Sequence, residues 1–227
     1  MAEDFNVTLN EAQYYTPDTE CKKNSWLGDY EKRYQEFLAD PDAYWEAIAR
    51  ELDWFSEWNQ VKTWNYPHAE WFCGAATNIT YNCLDRHVFN QRRNKVALMW
   101  RGEDEGEERV FTYKQLYQAV NRFANGLKKL GVGKGDRVCI YMPVVPEQII
   151  AMLACARIGA VHTVVFGGFG VNALHQRITG VGAKVVITAD IGVRRGKAIT
   201  LKNIVEEAVV NAPSVERIII LRRDDPK

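Results

Sequence analysis

Three of the four residues from 194 to 197 are cationic, Arg194, Arg195 and Lys197, and glycines stand at 192 and 196. Cations on a glycine-bearing loop suit a phosphate-bearing ligand, which accepts forked, charge-assisted hydrogen bonds. The competing reading is a solvated basic loop ahead of a helix. A Walker-type phosphate loop is excluded. Gly192 and Gly196 are one residue too close, and Ala198 stands where Ser or Thr would bind magnesium. Upstream, Phe166-Gly167-Gly168-Phe169 places two glycines between aromatic rings. Such a loop lets a backbone approach a flat ligand closely, with a ring beside it. The alternative is a turn that needs positive φ, flanked by two core Phe residues. Gly131-Val132-Gly133-Lys134-Gly135-Asp136 has the composition of a phosphate loop. It follows a helix and precedes a strand, the reverse of the order that aims N–H groups at an anion, and reads as a helix-to-strand turn.

Other chemistry is thinly represented. Cys73, Cys83 and His87 form the one His/Cys grouping, and their spacing matches no zinc pattern. Cys139 falls in an apolar strand and Cys155 on a helix, where a small thiol packs well. His162 and His175 read as structural. There is no Ser-His-Asp arrangement and no pair of carboxylates in an apolar setting, so no catalytic residue is assigned.

The basic and glycine loops need elements to position them, and residues from 93 onward supply these. Val96–Trp100 reads as a strand, the acidic 103–108 stretch as a turn, and Arg109–Phe111 as a returning strand. Thr112 and Gln115 make a capping box for a helix with Leu116, Val120, Phe123, Leu127 and Leu130 on one stripe, stopped by Gly131. Then come strand Val138–Met142, a helix opened by Pro146 and closed by Gly159, strand Val161–Phe166, and a short helix over Leu174–Ile178. Strand Lys184–Ala189, helix Ile199–Val210 and strand Ile218–Leu221 complete the series. Strands alternating with helices predict an α/β fold with a mainly parallel sheet covered on both faces. In such sheets ligands bind beyond the carboxyl ends of the strands, which selects the loops after Met142, Phe166 and Ala189.

Residues 1–92 differ. They are rich in Trp, Tyr and Asn, show no strand alternation, and read as a helical or irregular cap region; 93–227 read as an incomplete α/β domain, which the resemblance given below implies is a first subdomain. One helix covers Asp29–Leu38. Asp40 caps another, with Pro41 in its first turn and Trp45, Ile48, Ala49 and Leu52 on one face. Six of the seven tryptophans precede residue 72, which implies a packing partner for this half.

The 29 basic and 29 acidic residues cancel, which argues against a general nucleic-acid or membrane-surface binder. No apolar run approaches the ~20 residues of a membrane span. Met1-Ala2-Glu3-Asp4 is acidic where a signal peptide would be basic. A cytoplasmic protein with five reduced cysteines is expected, so the sequons at Asn6 and Asn78 are chance matches.

Several segments together resemble the acetyl-CoA synthetase branch of the adenylate-forming ligases. They include Phe37–Trp45, Trp64-Asn65, Trp71-Phe72, Asn78–His87 and Thr112-Tyr113. The longest stretch runs from Lys134–Val138 through Tyr141-Met142-Pro143, Pro146-Glu147, Met152–His162 and Val165–Phe169. Val186–Asp190 and Gly192-Val193-Arg194 extend it. The resemblance covers the chain from about residue 24 onward. It implies a two-step reaction, in which ATP and acetate give an acyl-adenylate and pyrophosphate, and the coenzyme A thiol then displaces AMP. It implies that Phe166, Gly167 and Gly168 lie near the nucleotide end of coenzyme A and that Arg194 and Lys197 meet its phosphates. Arg195 is a further candidate, although it fills a position where the family has a small residue. The family's ATP loop, acyl-pocket tryptophan, ribose-binding aspartate and catalytic lysine all come later in such proteins. This chain is therefore expected to supply part of the coenzyme A site, to pair with the remainder of the enzyme, to contribute no Mg2+ ligand, and to be inactive alone. The alternatives are a non-catalytic coenzyme-binding or interaction module, or part of a ligase for propionate or another short acid.

Overall fold

A computed structural model describes residues 16–103 and 105–223. The Asn6 sequon, the acidic start, Asp104 and the polar 224–227 end lie outside the described residues. The chain divides into two compact units, one holding 16–52 and 58–73, the other 53–57 and the described residues from 74 onward.

The first unit contains α1 (Thr19–Lys23), α2 (Tyr30–Ala39), α3 (Pro41–Ala49), β1 (Gln60–Asn65) and β2 (His68–Cys73). Asp29 caps α2 by accepting from Lys32 N at 3.1 Å. Asp40 caps α3 by accepting from Ala43 N at 3.0 Å, with Pro41 at the first position. Of the stripe read on α3, only Ala49 is buried; Trp45, Ile48 and Leu52 remain well exposed. The antiparallel β1–β2 hairpin corrects the expectation of no strands in this region. It escaped because neither strand has a buried residue, so no apolar face alternates with a polar one. Trp71 on β2 meets Trp45 edge-on, with centroids 6.2 Å apart, and the Lys62 ammonium lies 5.5 Å above the Trp71 ring.

In the second unit, residues 74–80 lead through a π-turn (Tyr81–Asp85) into α4 (Arg86–Val88). The hairpin β3 (Val96–Arg101) and β4 (Glu108–Thr112) follows, then α5 (Tyr113–Lys129), β5 (Arg137–Met142), α6 (Pro146–Arg157) and β6 (Val161–Phe166). After these come α7 (Val171–Val181), β7 (Val185–Ala189), β8 (Gly192–Arg194), β9 (Lys197–Ile199), α8 (Leu201–Ala208) and β10 (Arg217–Leu221). The capping box of α5 is present, with Thr112 and Gln115 serving each other's backbone N–H, and Gly131 follows its end at φ +82°.

Strands β10, β7, β5 and β6 form, in that order, one wholly parallel sheet. The pleat of β5 divides its side chains between two cores. Val138, Ile140 and Met142 pack with Leu116, Val120 and Leu127 of α5 and with Ile150 and Ala154 of α6. Cys139 and Tyr141 pack with Leu174 and Ile178 of α7 and with Leu201 and Val205 of α8. Burial on both faces is what produced the unbroken apolar runs in the sequence. It also pushes the Cys139 and Cys155 thiols up to about 12, so both are packing groups. The β3–β4 pair stands apart from the parallel sheet as its own antiparallel ribbon.

Residues 78–85 satisfy the end of α6. Asn78 Nδ2 donates to Ala156 O at 3.0 Å, and Thr80 Oγ1 donates to Leu153 O at 3.1 Å. Asp85 takes a forked pair from Arg157 at 3.1 and 2.5 Å. The amide nitrogen that glycosylation of Asn78 would use is thus engaged in the fold.

Candidate functional site

The carboxyl ends of β5 and β6, the segment after β7 and the β3–β4 hairpin surround a cavity of about 660 Å³. Met142, Pro143 and Val144 form one wall, Phe166, Gly167 and Gly168 a second, and Gly192, Val193 and Arg194 a third. Trp100 closes a fourth side, fixed by its indole N–H donating to Val144 O at 2.7 Å. The rim carries Arg101, Glu103, Glu107 and Arg223.

The glycine loop is held from inside the sheet. The hydroxyl of Tyr141 on β5 donates to Phe169 O at 2.6 Å, and burial pushes its titration up, so it keeps the proton it donates. Phe166 and Phe169 meet edge-on at 5.9 Å, and the Arg177 guanidinium lies 5.1 Å over Phe169. The pair does form a turn, closed by the Phe169 N–H donating to Phe166 O at 3.0 Å, but neither glycine takes a positive φ, so the expected need for positive φ is corrected. Space, rather than backbone angle, favours glycine here. A Cβ on Gly167 would come within 3.1 Å of Met142 O, and one on Gly168 within 2.5 Å of the Phe166 ring and 2.9 Å of Arg194 Nη1.

The basic segment is a hairpin rather than a loop, which the sequence reading missed. Arg194 and Lys197 are cross-strand partners of β8 and β9. Arg195 and Gly196 form the two-residue turn between them, both at positive φ (+52° and +70°), the pairing of a type I′ turn. Three-residue strands leave no readable period. Arg194 reaches the cavity, its guanidinium 5.2 Å over the Phe166 ring. Arg195 and Lys197 are exposed and do not line the cavity. The structure therefore brings Phe166, Gly167, Gly168 and Arg194 together and sets Arg195 and Lys197 on the outer hairpin.

Glu103 was read only as part of an acidic turn. Its carboxylate accepts from the backbone N–H of Arg195 and, at 3.3 Å, from that of Gly196. Glu107 faces Arg223 at 3.5 Å, and Glu108 pairs with Arg101. Asp190 ties the ends of β7 and β10 by accepting from Ile191 N at 2.7 Å and Arg223 N at 2.9 Å. His175 Nδ1 lies 2.8 Å from Ala208 O, a contact that only a protonated Nδ1 can make, and burial keeps His162 neutral by lowering its pKa. Both lie outside the cavity lining.

Residues 84–227 match the model of the AMP-binding enzyme family, and residues 30–83 match that of the acetyl-coenzyme A synthetase N-terminus. The chain belongs to the AMP-binding enzyme family. Its relatives include the acetyl-coenzyme A synthetase of Chlorobaculum tepidum, 48% identical over 97% of this chain and 34% of the relative. That of Methanothrix thermoacetophila is 52% identical over 79% of this chain and 28% of the relative. Among solved structures, an acetoacetyl-CoA synthetase from Streptomyces lividans matches with a TM-score of 0.84 and 25% identity, over 93% of this chain and 35% of that one. The chain spans about a third of the length of the curated relatives it matches. Among the described residues of this AMP-binding family member, no helix is long and apolar enough to cross a membrane, and no three His, Cys, Asp or Glu side chains converge as a metal site.

Proposed function

We propose that this chain supplies the coenzyme A wall of an AMP-forming acetate–CoA ligase. The observation that carries the reading is the Arg194 guanidinium stacked on Phe166 beside Gly167-Gly168, at the carboxyl ends of parallel strands. The high identity to acetyl-coenzyme A synthetases supports acetate as the acid. In the proposed reaction ATP activates acetate as an adenylate with release of pyrophosphate. The coenzyme A thiol then displaces AMP. The logic is leaving-group activation: a carboxylate resists attack, and its mixed anhydride with AMP does not. Phe166, Gly167 and Gly168 would pack on the nucleotide end of coenzyme A. Arg194 would meet a phosphate from the cavity side, with Arg195 and Lys197 adding positive potential from the outer hairpin. The rest of the site, with any Mg2+ ligands, would come from the remainder of the enzyme. We retain 1–92 as the cap and 93–227 as the first α/β subdomain in this reading, and place the ligase in the cytoplasm.

Calorimetry of the purified chain tests the reading. Coenzyme A should bind about tenfold more tightly than its form lacking the 3′-phosphate, and salt should erode the difference. Equal binding, or none, removes these residues from phosphate recognition. The chain alone should not catalyse acetate-dependent exchange of pyrophosphate into ATP.

A further inference from the structure

Glu103 makes a contact that the fold does not require. The tip of the β8–β9 hairpin is exposed, so water could serve the N–H groups of Arg195 and Gly196. Instead, a carboxylate 92 residues away in sequence spans both, one oxygen to each nitrogen. Two convergent N–H donors with Arg194, Arg195 and Lys197 around them are the surroundings an anion selects. The neighbouring carboxylates of the β3–β4 hairpin are matched differently, Glu107 to Arg223 and Glu108 to Arg101. Glu103 alone of the three is held by backbone donors. Among the described residues, no carboxylate forms an ion pair with Arg194, Arg195 or Lys197, while the neighbouring acids pair elsewhere.

We propose that the N–H pair of Arg195 and Gly196 is an oxyanion subsite at the cavity rim. Glu103 occupies it in the ligand-free chain, and a phosphate-bearing ligand binds by displacing Glu103. The inference rests on the reading of a phosphate-bearing ligand given above. The exchange is favourable for chemical reasons. A terminal phosphate has three acceptor oxygens and close to two charges, so it can take both N–H groups and still face the flanking cations. A carboxylate has one charge and two oxygens, both already spent on the turn. Glu103 therefore acts as a tethered competitor that weak monoanions fail to remove, which sets a threshold for what binds. Once displaced, it frees the acidic β3–β4 loop from the basic hairpin.

The test uses three forms of the 227-residue chain: wild type, Glu103→Gln, and Glu105→Gln as the control that removes the same charge from the same loop. Inorganic pyrophosphate is the anion probe and coenzyme A the second ligand. In wild type without ligand, the Arg195 and Gly196 amide resonances should match those of Glu105→Gln and move in Glu103→Gln. Pyrophosphate should bind Glu103→Gln about tenfold more tightly than Glu105→Gln. It should also shift the same two amides in wild type. Equal or weaker binding by Glu103→Gln, absence of pyrophosphate binding in every form, or amides indifferent to Glu103 would each overturn the proposal. Failure of coenzyme A alone, with pyrophosphate still displacing Glu103, would instead remove coenzyme A as the ligand and leave the subsite standing. Equal coenzyme A affinity for the two variants, with pyrophosphate equally indifferent, would leave the ligand and remove the competitor.

Discussion

Strands β5 and β1 are each six residues long, yet β5 buries five consecutive residues and β1 buries none. Both contain β-branched and aromatic residues, so intrinsic preference does not separate them. The difference is what lies on their faces. Helices α5 and α6 cover one side of β5, and α7 and α8 cover the other. The β1–β2 ribbon keeps Trp64, Tyr66 and Trp71 largely exposed, and its ordering rests on cross-strand pairing and ring contacts. A strand held by two cores has its stability concentrated in volume. A ribbon of exposed rings has it spread over contacts that are individually small.

That contrast can be broken by substitution. Ile140→Ala in β5 should cost about 2–5 kcal/mol, because it opens a cavity in a fully buried position of the core. Trp64→Ala in β1, where the ring is 64% exposed, should stay within about 1 kcal/mol. Urea unfolding of both variants gives the comparison, and similar losses would mean that the ribbon carries far more of the fold than its exposure suggests.

A second contrast lies within the second unit and turns on sign. Gly168→Ala forces a methyl to within 2.5 Å of the Phe166 ring and should destabilise by about 1–3 kcal/mol. It should also weaken coenzyme A binding by moving Arg194. Gly126→Ala, inside α5 with nothing within 4 Å of the new Cβ, should stabilise by about 0.5–1 kcal/mol. Thermal melts of the pair decide it; two destabilised variants would show that the α5 glycine is also a packing position.

The smallest effect concerns the turn between α5 and β5. A Gly133 N–H at 2.8 Å and the Lys184 ammonium at 3.1 Å hold the Asp136 carboxylate below its ordinary range. A depressed folded pKa adds stability above the unfolded value, near ~4, and the gain is lost as pH falls through the folded value. Asp136→Asn should therefore cost about 1 kcal/mol or less at pH 7, and the gap from wild type should close in acid. A gap that stays constant from pH 7 into strong acid would assign the loss to packing rather than to charge.

What the sequence disclosed follows the same division. The parallel strands, the Thr112–Gln115 box and the Gly131 stop were legible, because two-sided burial leaves unbroken apolar runs and caps need specific side chains. The strand-end rule also pointed to the loops after Met142, Phe166 and Ala189, which the structure places around one cavity. The β1–β2 and β8–β9 hairpins were not legible, since strands with wet faces or three residues carry no period. The reach of Arg194 into the cavity, the outward placement of Arg195 and Lys197, and the grip of Glu103 depend on a turn type and on a contact across 92 residues. Local composition registers neither.

The two thiols sealed in the parallel-sheet unit have a practical consequence. Cys139 and Cys155 are fully buried on opposite sides of the sheet, while Cys21 and Cys83 lie in solvent. An alkylating reagent should modify the exposed pair at once, the half-buried Cys73 next, and the sealed pair only when that layer opens. The mass added over time then works as a clock with two hands, one for each face of the sheet, and shows whether the faces come apart together or one before the other.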